Sequence, residues 1–367
     1  MNPKPFYPSH VSWSVHWEKI QHSDIHHILL SGCNSVRDFA TLLSPVAGLQ
    51  LEELAKRSHT LTRQHFGKTI HLFVPLYLSN ECICSCTYCG FSFLNQVPRK
   101  TLTYDEVMSE AQYLLGQGFR HILLVAGEHR HALPLPFLKK IVGALRPHLA
   151  SLSIETTPYQ TLEYQELADA GVDGVVLYQE TYDPKRYEEV HLGGPKKNYL
   201  KRLEFPENAA RGHVRRLGMG ILLGLSDWRQ DAMALYEHII YMRKKYWQLN
   251  FTASFPRLRK CASHFEIPYP VSDRDMTQLI CAFRIAFPDL GLVLSTREPP
   301  SLRNGLMQLG VTHLSAGSST EPGGYQLQTS AEEQFAIEDH RKAPEVAAYI
   351  AQQGLEPVWK DWDSNLH

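Results

Sequence analysis

The chain has 367 residues, 43% of them apolar and 20% charged, which allows one large domain or two to three ordinary ones with a sizeable core and argues against disorder. Lys and Arg number 37 against 38 Asp and Glu, so the net charge of −1 lacks the basic excess that nucleic-acid or acidic-membrane binding needs. No apolar run approaches the roughly 18 residues of a membrane helix, and the start, Met1 to Phe6, lacks the apolar stretch of a secretory signal; the expectation is a cytoplasmic protein with no nucleic-acid or membrane partner.

Residues 1–70 read as a helical extension. Leu51, Leu54, Ala55, Ser58 and Leu61 recur at helical spacing, and Phe66-Gly67 supplies a stop. From residue 71 short apolar runs alternate with longer amphipathic stretches. The strand candidates are His71–Leu78, His121–Ala126, Leu152–Thr156, Gly174–Gln179, Gly218–Leu223, Phe251–Phe255, Leu292–Thr296 and Thr312–Ala316. Helical patterns fall between them at Tyr104–Gln117, Pro136–Leu145, Leu162–Ala170, Asp231–Trp247 and Asp273–Ala286. Runs buried on both faces and followed by helices are parallel βα units. Eight of them predict an α/β protein with a (β/α)8 TIM-type barrel over residues 71–318, a doubly wound open sheet being the alternative. Residues 319–367 are expected to form a tail over the barrel mouth.

Cysteine placement carries the chemistry. Four of the seven, Cys82, Cys84, Cys86 and Cys89, fall within eight residues, while Cys33, Cys261 and Cys281 are scattered. An odd count with one dense cluster is a poor disulfide framework and reads as a metal site. Cys82, Cys86 and Cys89 form C-x3-C-x2-C directly after the first strand, where barrel loops build active sites. Three thiolates at this spacing can hold one face of a [4Fe–4S] cluster and leave one iron open. A zinc site is the alternative, but structural zinc usually ties separated Cys/His pairs together, and ligands this close would tie nothing. The pattern closes without Cys84, which is read as a bystander.

This loop resembles the radical S-adenosylmethionine superfamily, in which the open iron is chelated by the methionine moiety and reductive cleavage of the sulfonium yields a 5′-deoxyadenosyl radical. The resemblance makes S-adenosylmethionine a second cofactor and assigns residues to it. Tyr88 would pack near the adenosyl group. Gly127-Glu128, at the end of the second strand, would hold the amino group, for which a carboxylate and a backbone carbonyl are suited. Glu155 ends the third strand and would bond the ribose hydroxyls, and Gln179 and Glu180 end the fourth strand and would join the cofactor site. Gly224, in the run Gly218–Leu225, would let backbone approach the adenine.

The segments Val74–Asn80, Tyr178–Tyr182, Ser254–Leu258, Leu294–Glu298 and Glu356–Asp363 narrow the likeness to the aromatic amino acid lyase branch, most nearly the tyrosine lyases of bacterial thiamine biosynthesis. That implies cleavage of the Cα–Cβ bond of L-tyrosine to 2-iminoacetate and 4-cresol, a flavodoxin- or ferredoxin-type electron donor, and delivery to a thiazole synthase. Related lyases that mature [FeFe]-hydrogenase carry further C-terminal cysteines, and no cysteine follows Cys281 here. Arg297 offers a planar fork for the tyrosine carboxylate, with Arg257 as competitor. Ser295, Thr296 and Ser315 are hydroxyl candidates for the amine or carboxylate. Trp359 and Trp362 are expected to cap the mouth, because 2-iminoacetate hydrolyses readily. His26-His27 and His129-Arg130-His131 lack metal-ligand spacing. A tryptophan lyase, a biotin-synthase-like enzyme and a zinc module are the other readings.

Overall fold

The computed structural model describes residues 6–8 and 16–360. Four helices come first: α1 (His22–Ser31), α2 (Val36–Leu43), α3 (Pro45–Leu49) and α4 (Leu51–Phe66). In α4 the apolar stripe is real, since Leu54, Ser58, Leu61 and Thr62 are its buried residues. The Ser58 and Thr62 hydroxyls donate to the Leu309 carbonyl, which fastens the extension to the outside of the barrel.

The strands are β1 (Thr69–Ser79), β2 (His121–Ala126), β3 (Ser151–Glu155), β4 (Gly174–Glu180), β5 (Arg216–Ile221), β6 (Asn250–Ser254), β7 (Gly291–Leu294) and β8 (His313–Ser315). All pair in parallel, and β1 bonds both β2 and β8, which closes the sheet into a TIM-type (β/α)8 barrel. Alternation along β1 follows from closure. Ile70, Leu72, Val74 and Leu76 are fully buried beneath the helices, while Phe73 faces the barrel interior. The crossover helices are α5 (Tyr104–Gly116), α6 (Leu135–Leu145), α7 (Thr161–Ala170), α8 (Pro184–Val190), α9 (Tyr199–Arg211), α10 (Trp228–Lys245), α11 (Asp273–Ala286) and α12 (Pro300–Leu309). The β4–β5 connection thus holds two helices, neither expected from the sequence. In α9 an internal Pro206 and a largely polar face conceal the periodicity.

The C-terminal part divides, which corrects the expectation of a single tail. Residues 319–341 form a strap across the barrel mouth. The Asn80 side chain donates to the Glu332 carbonyl, the Ala336 amide to Lys260, and the Glu338 and Asp339 amides to Thr296. Asp339 and Arg303 make a fully buried ion pair that anchors the strap to α12. Next, α13 (Ala343–Gln352) follows β8 as the eighth barrel helix, and β9 (Glu356–Val358) pairs with Thr69–His71 at the start of β1. Trp359 therefore packs on Phe119 at the opposite end of the barrel from the mouth. It caps nothing there, because β9 carries it to the N-terminal ends of the strands. Trp362 lies outside the described residues.

Candidate active site

The loop after β1 is clamped from three sides. Arg99 threads it from within, donating to the carbonyls of Asn80, Phe91, Ser92 and Asn95. The Ile83 amide donates to the Glu128 carbonyl beyond β2. The Thr87 amide donates to Val190 at the end of α8, and the Ser85 amide to Gly193 just beyond it. On the strap side the Gly90 amide donates to Gln334. These approaches require glycine. A Cβ on Gly127 would lie 2.3 Å from the Glu81 carbonyl oxygen, and one on Gly90 would lie 2.5 Å from that of Glu333. Gly127 is thus needed for packing against the cysteine loop.

Cys82, Cys86 and Cys89 sit together in this loop, close enough that Cys82 pushes up both Cys86 and Cys89, and Cys89 pushes up Cys86. Burial drives Cys86 well above the ordinary thiol range and Cys89 up to about 12, with Lys196 opposing both. Cys82 is drawn the other way because Cys84 donates to it, its amide lying 3.4 Å from the Cys82 sulfur. Among the described residues no three His, Cys, Asp or Glu converge as ligands of a single ion. Three thiols on one short loop are the donor set of a cluster that places each thiolate on its own iron. Lys196 and backbone N–H groups supply the positive surroundings such thiolates need.

Glu128 stands beside the loop within a buried charge network. Its Oε1 accepts from Arg202 at 3.0 Å, and the Cys84 thiol lies 3.7 Å from Oε2. Cys84, read from the sequence as a bystander to the cluster, thus lies against Glu128. Glu180 completes the network, 2.6 Å from Lys196 and 3.9 Å from Arg202. Burial opposes its charge, yet the two cations hold it below the usual carboxylate range. Its φ of 73° is left-handed, and it follows a bulge in which Gln179 is the extra residue of β4. The Gln179 Nε2 is buried without a hydrogen-bond partner, as expected of a donor whose acceptor is a bound ligand. Glu155, at the end of β3, is raised to about 7, mainly by burial and then by Glu180, with Arg297 opposing.

Arg297 lies in the turn after β7, its guanidinium 3.3 Å above the Phe335 ring of the strap. It makes no ion pair among the described residues. It acts electrostatically on Glu155, Tyr77 and Tyr178, so these four groups share the mouth. Arg257 does not compete with it, because its fork is filled by Glu298 and by Asp273 at 2.8 Å. Ser295 accepts from the Arg297 amide, while Ser315 accepts from the Thr296 amide at 3.1 Å and both of the latter are buried. Tyr88 is buried under the loop with its hydroxyl 2.8 Å from His191 Nε2. Burial holds His191 neutral down to about 3, and its Nδ1 faces the Tyr187 carbonyl, so Nε2 accepts from Tyr88. Gly224 has φ 109° and meets Leu258 and Ile267, whose side chains a Cβ would strike.

Sequence reasoning missed Lys196, Arg202, His191, Tyr77 and the strap residues Gln334 and Phe335. The Tyr77 hydroxyl donates to the Gln334 side chain at 2.8 Å. The first three come from the β4–β5 connection, where no element was expected. A cluster of Lys and Arg after the fourth strand was the only available signal.

Residues 76–237 match the Radical SAM superfamily and residues 254–356 the Biotin and Thiamin Synthesis associated domain. The chain is 44% identical over 330 residues to a 2-iminoacetate synthase of Escherichia coli (strain K12), covering 90% of this chain and 88% of that one. A 2-iminoacetate synthase of Salmonella typhimurium is 42% identical over 345 residues, with 94% and 92% covered. Among solved structures, HydG, a maturase of the [FeFe]-hydrogenase, superimposes with a TM-score of 0.89 at 30% identity, covering 94% of this chain and 78% of that one. The chain is an enzyme of the lyase type and belongs to the 2-iminoacetate synthase family of the radical SAM superfamily.

Proposed function

We propose that this enzyme cleaves the Cα–Cβ bond of L-tyrosine to 2-iminoacetate and 4-cresol, with S-adenosylmethionine reductively cleaved to methionine and 5′-deoxyadenosine, and that 2-iminoacetate supplies the thiazole of thiamine. One observation carries the reading: the three-thiol loop, the Glu128 network and an Arg297 without a carboxylate partner among the described residues stand at one mouth under one strap. Cys82, Cys86 and Cys89 hold a [4Fe–4S] cluster, which when bound supplies the electron for cofactor cleavage. Glu128 and the Gly127 backbone hold the cofactor's amino group, and Glu155, Gln179 and Glu180 line its ribose. Gly224 borders the adenine, and Tyr88 packs against the adenosyl group. Arg297 receives the tyrosine carboxylate in a bidentate fork, with Ser295, Thr296 and Ser315 as nearby hydroxyls. The strap, through Gln334 and Phe335, excludes water from the reacting centre. The proposed partners are a flavodoxin- or ferredoxin-type donor and a thiazole synthase, in the cytoplasm. No helix among the described residues is long and apolar enough to cross a membrane.

The direct test is anaerobic reconstitution with iron and sulfide, followed by tyrosine, S-adenosylmethionine and reductant. Release of 4-cresol supports the reading, and a loaded enzyme that yields none from tyrosine refutes it. Glu128→Gln should weaken S-adenosylmethionine binding roughly ten- to hundredfold, the value of one charge-assisted hydrogen bond of about 1.5–3 kcal/mol. Iron and sulfide content should not change, and a thermal melt separates this effect from loss of the buried Arg202 pair.

The Glu155 carboxyl adds a pH dependence with a definite sign. Raised to about 7 by burial, it is protonated below that pH and ionised above it. A cationic sulfonium and a ribose diol both favour the ionised form, so cofactor affinity should increase as pH rises through 7. Isothermal titrations across that range should show the step in the native chain and not in Glu155→Gln. An identical step in the variant would remove Glu155 from the site.

A further inference from the structure

A buried imidazole lies against the cysteine loop and has no part in the assignments above. His191 directly follows α8 and is fully buried. Its backbone bridges to Cys86 in antiparallel fashion, with the Thr87 amide on the Val190 carbonyl and the Leu192 amide on that of Ser85. Main-chain bonds thus fasten this segment to the loop, and none of them involves the His191 side chain.

The ring is held from one side and holds from the other. Nδ1 donates to the Tyr187 carbonyl at 2.8 Å, and the Tyr187 ring lies 3.9 Å from the imidazole, centre to centre. That bond selects the tautomer whose Nε2 accepts, and the Tyr88 hydroxyl donates to it at 2.8 Å. The two rings meet edge-on, their planes at 90°. A hydrogen bond at the far end of a tyrosine fixes both side-chain torsions at once, which ring packing alone leaves looser. Tyr187 continues the chain of contacts: its hydroxyl donates to the Lys196 carbonyl at 2.6 Å, and Lys196 holds Glu180 at 2.6 Å. Residues 187–196 therefore connect the Tyr88 ring to the Glu180 carboxylate, two groups assigned to one cofactor.

We propose that His191 is a positioning residue for S-adenosylmethionine: by accepting from the Tyr88 hydroxyl it fixes the ring against which the adenosyl group packs. The inference rests on the placement of Tyr88 in the cofactor site given above. His191 touches no reacting atom and exchanges no proton. Without the imidazole a buried phenol hydroxyl has lost its acceptor, and the ring must turn to find another.

The test is a double-mutant cycle in cofactor affinity, read by anaerobic titration of the reconstituted full chain with S-adenosylmethionine. His191→Leu and Tyr88→Phe should each weaken binding roughly five- to tenfold, the effect of one neutral hydrogen bond whose partner is left unsatisfied. The double variant should be no weaker than either single one, because both act through one contact. His191→Gln keeps an acceptor near the place of Nε2 and should return the affinity to within about twofold of native. Iron and sulfide content should be native throughout. Additive losses in the double variant, or a Gln variant as weak as the Leu one, would overturn the positioning role. Tyr88→Phe deletes only a hydroxyl, so native affinity in that chain overturns it even where His191→Leu fails to fold. A loaded native chain that does not bind S-adenosylmethionine would instead refute the cofactor assignment, and this proposal with it.

Discussion

Alanine at Cys82, Cys86 or Cys89 is expected to leave a folded chain that retains almost no stable cluster and forms no 5′-deoxyadenosine. The loop is held by Arg99, Gly127 and the strap rather than by metal, so each variant should fold and give a native circular dichroism spectrum. Losing one of three thiolates removes a corner of the cluster's coordination, and backbone amides cannot replace a charged ligand. Cys84→Ser should behave differently. Iron and sulfide should stay near native levels, because Cys84 lies against Glu128 and donates to Cys82. A modest change in cofactor affinity is the expected cost of altering the contact to Glu128. Iron lost in Cys84→Ser and kept in Cys82→Ala would refute the ligand set.

Replacing Arg297 should uncouple the reaction. In Arg297→Lys the charge survives but the fork and the stacking on Phe335 do not. Tyrosine should then bind about tenfold more weakly and sit less accurately, so 5′-deoxyadenosine continues to form while 4-cresol falls further. Arg297→Ala should lose on the order of a hundredfold in apparent tyrosine affinity, since a carboxylate entering the enclosed mouth would meet no fixed cation. Cluster content should be native in both. The measurement is the ratio of 4-cresol to 5′-deoxyadenosine across a tyrosine titration. A native ratio and native tyrosine dependence in both variants would eliminate Arg297 as the carboxylate site, and Arg257 could not replace it while bound to Glu298 and Asp273.

Much of the architecture was legible before any coordinates. The eight apolar runs are the eight barrel strands, with ends displaced by at most two residues. Their legibility is physical: strands of a closed parallel barrel are covered on both faces, so each is rich in apolar residues, interrupted by small polar ones in β3 and β6. The cysteine loop was equally plain, because its thiols lie within eight residues of one another and their spacing alone sets what they can hold. Glu155, which ends β3, and Glu128 and Arg297, which follow β2 and β7 within three residues, could be nominated because strand ends in a barrel face the mouth.

What the sequence by itself determined is local: where strands lie, which thiols share a loop, which side chains stand at strand ends. Only the tertiary structure decided the long-range partners. Arg202 reaches Glu128 across 74 positions and Tyr77 reaches Gln334 across 257, distances at which no periodicity carries a signal. It also decided that residues 319–341 cross the mouth, and that β9 carries Trp359 to the far end. Both outcomes depend on edge pairing and on close approach at Gly90. Such contacts bring together groups whose attraction depends on distance in space and whose separation along the chain is arbitrary.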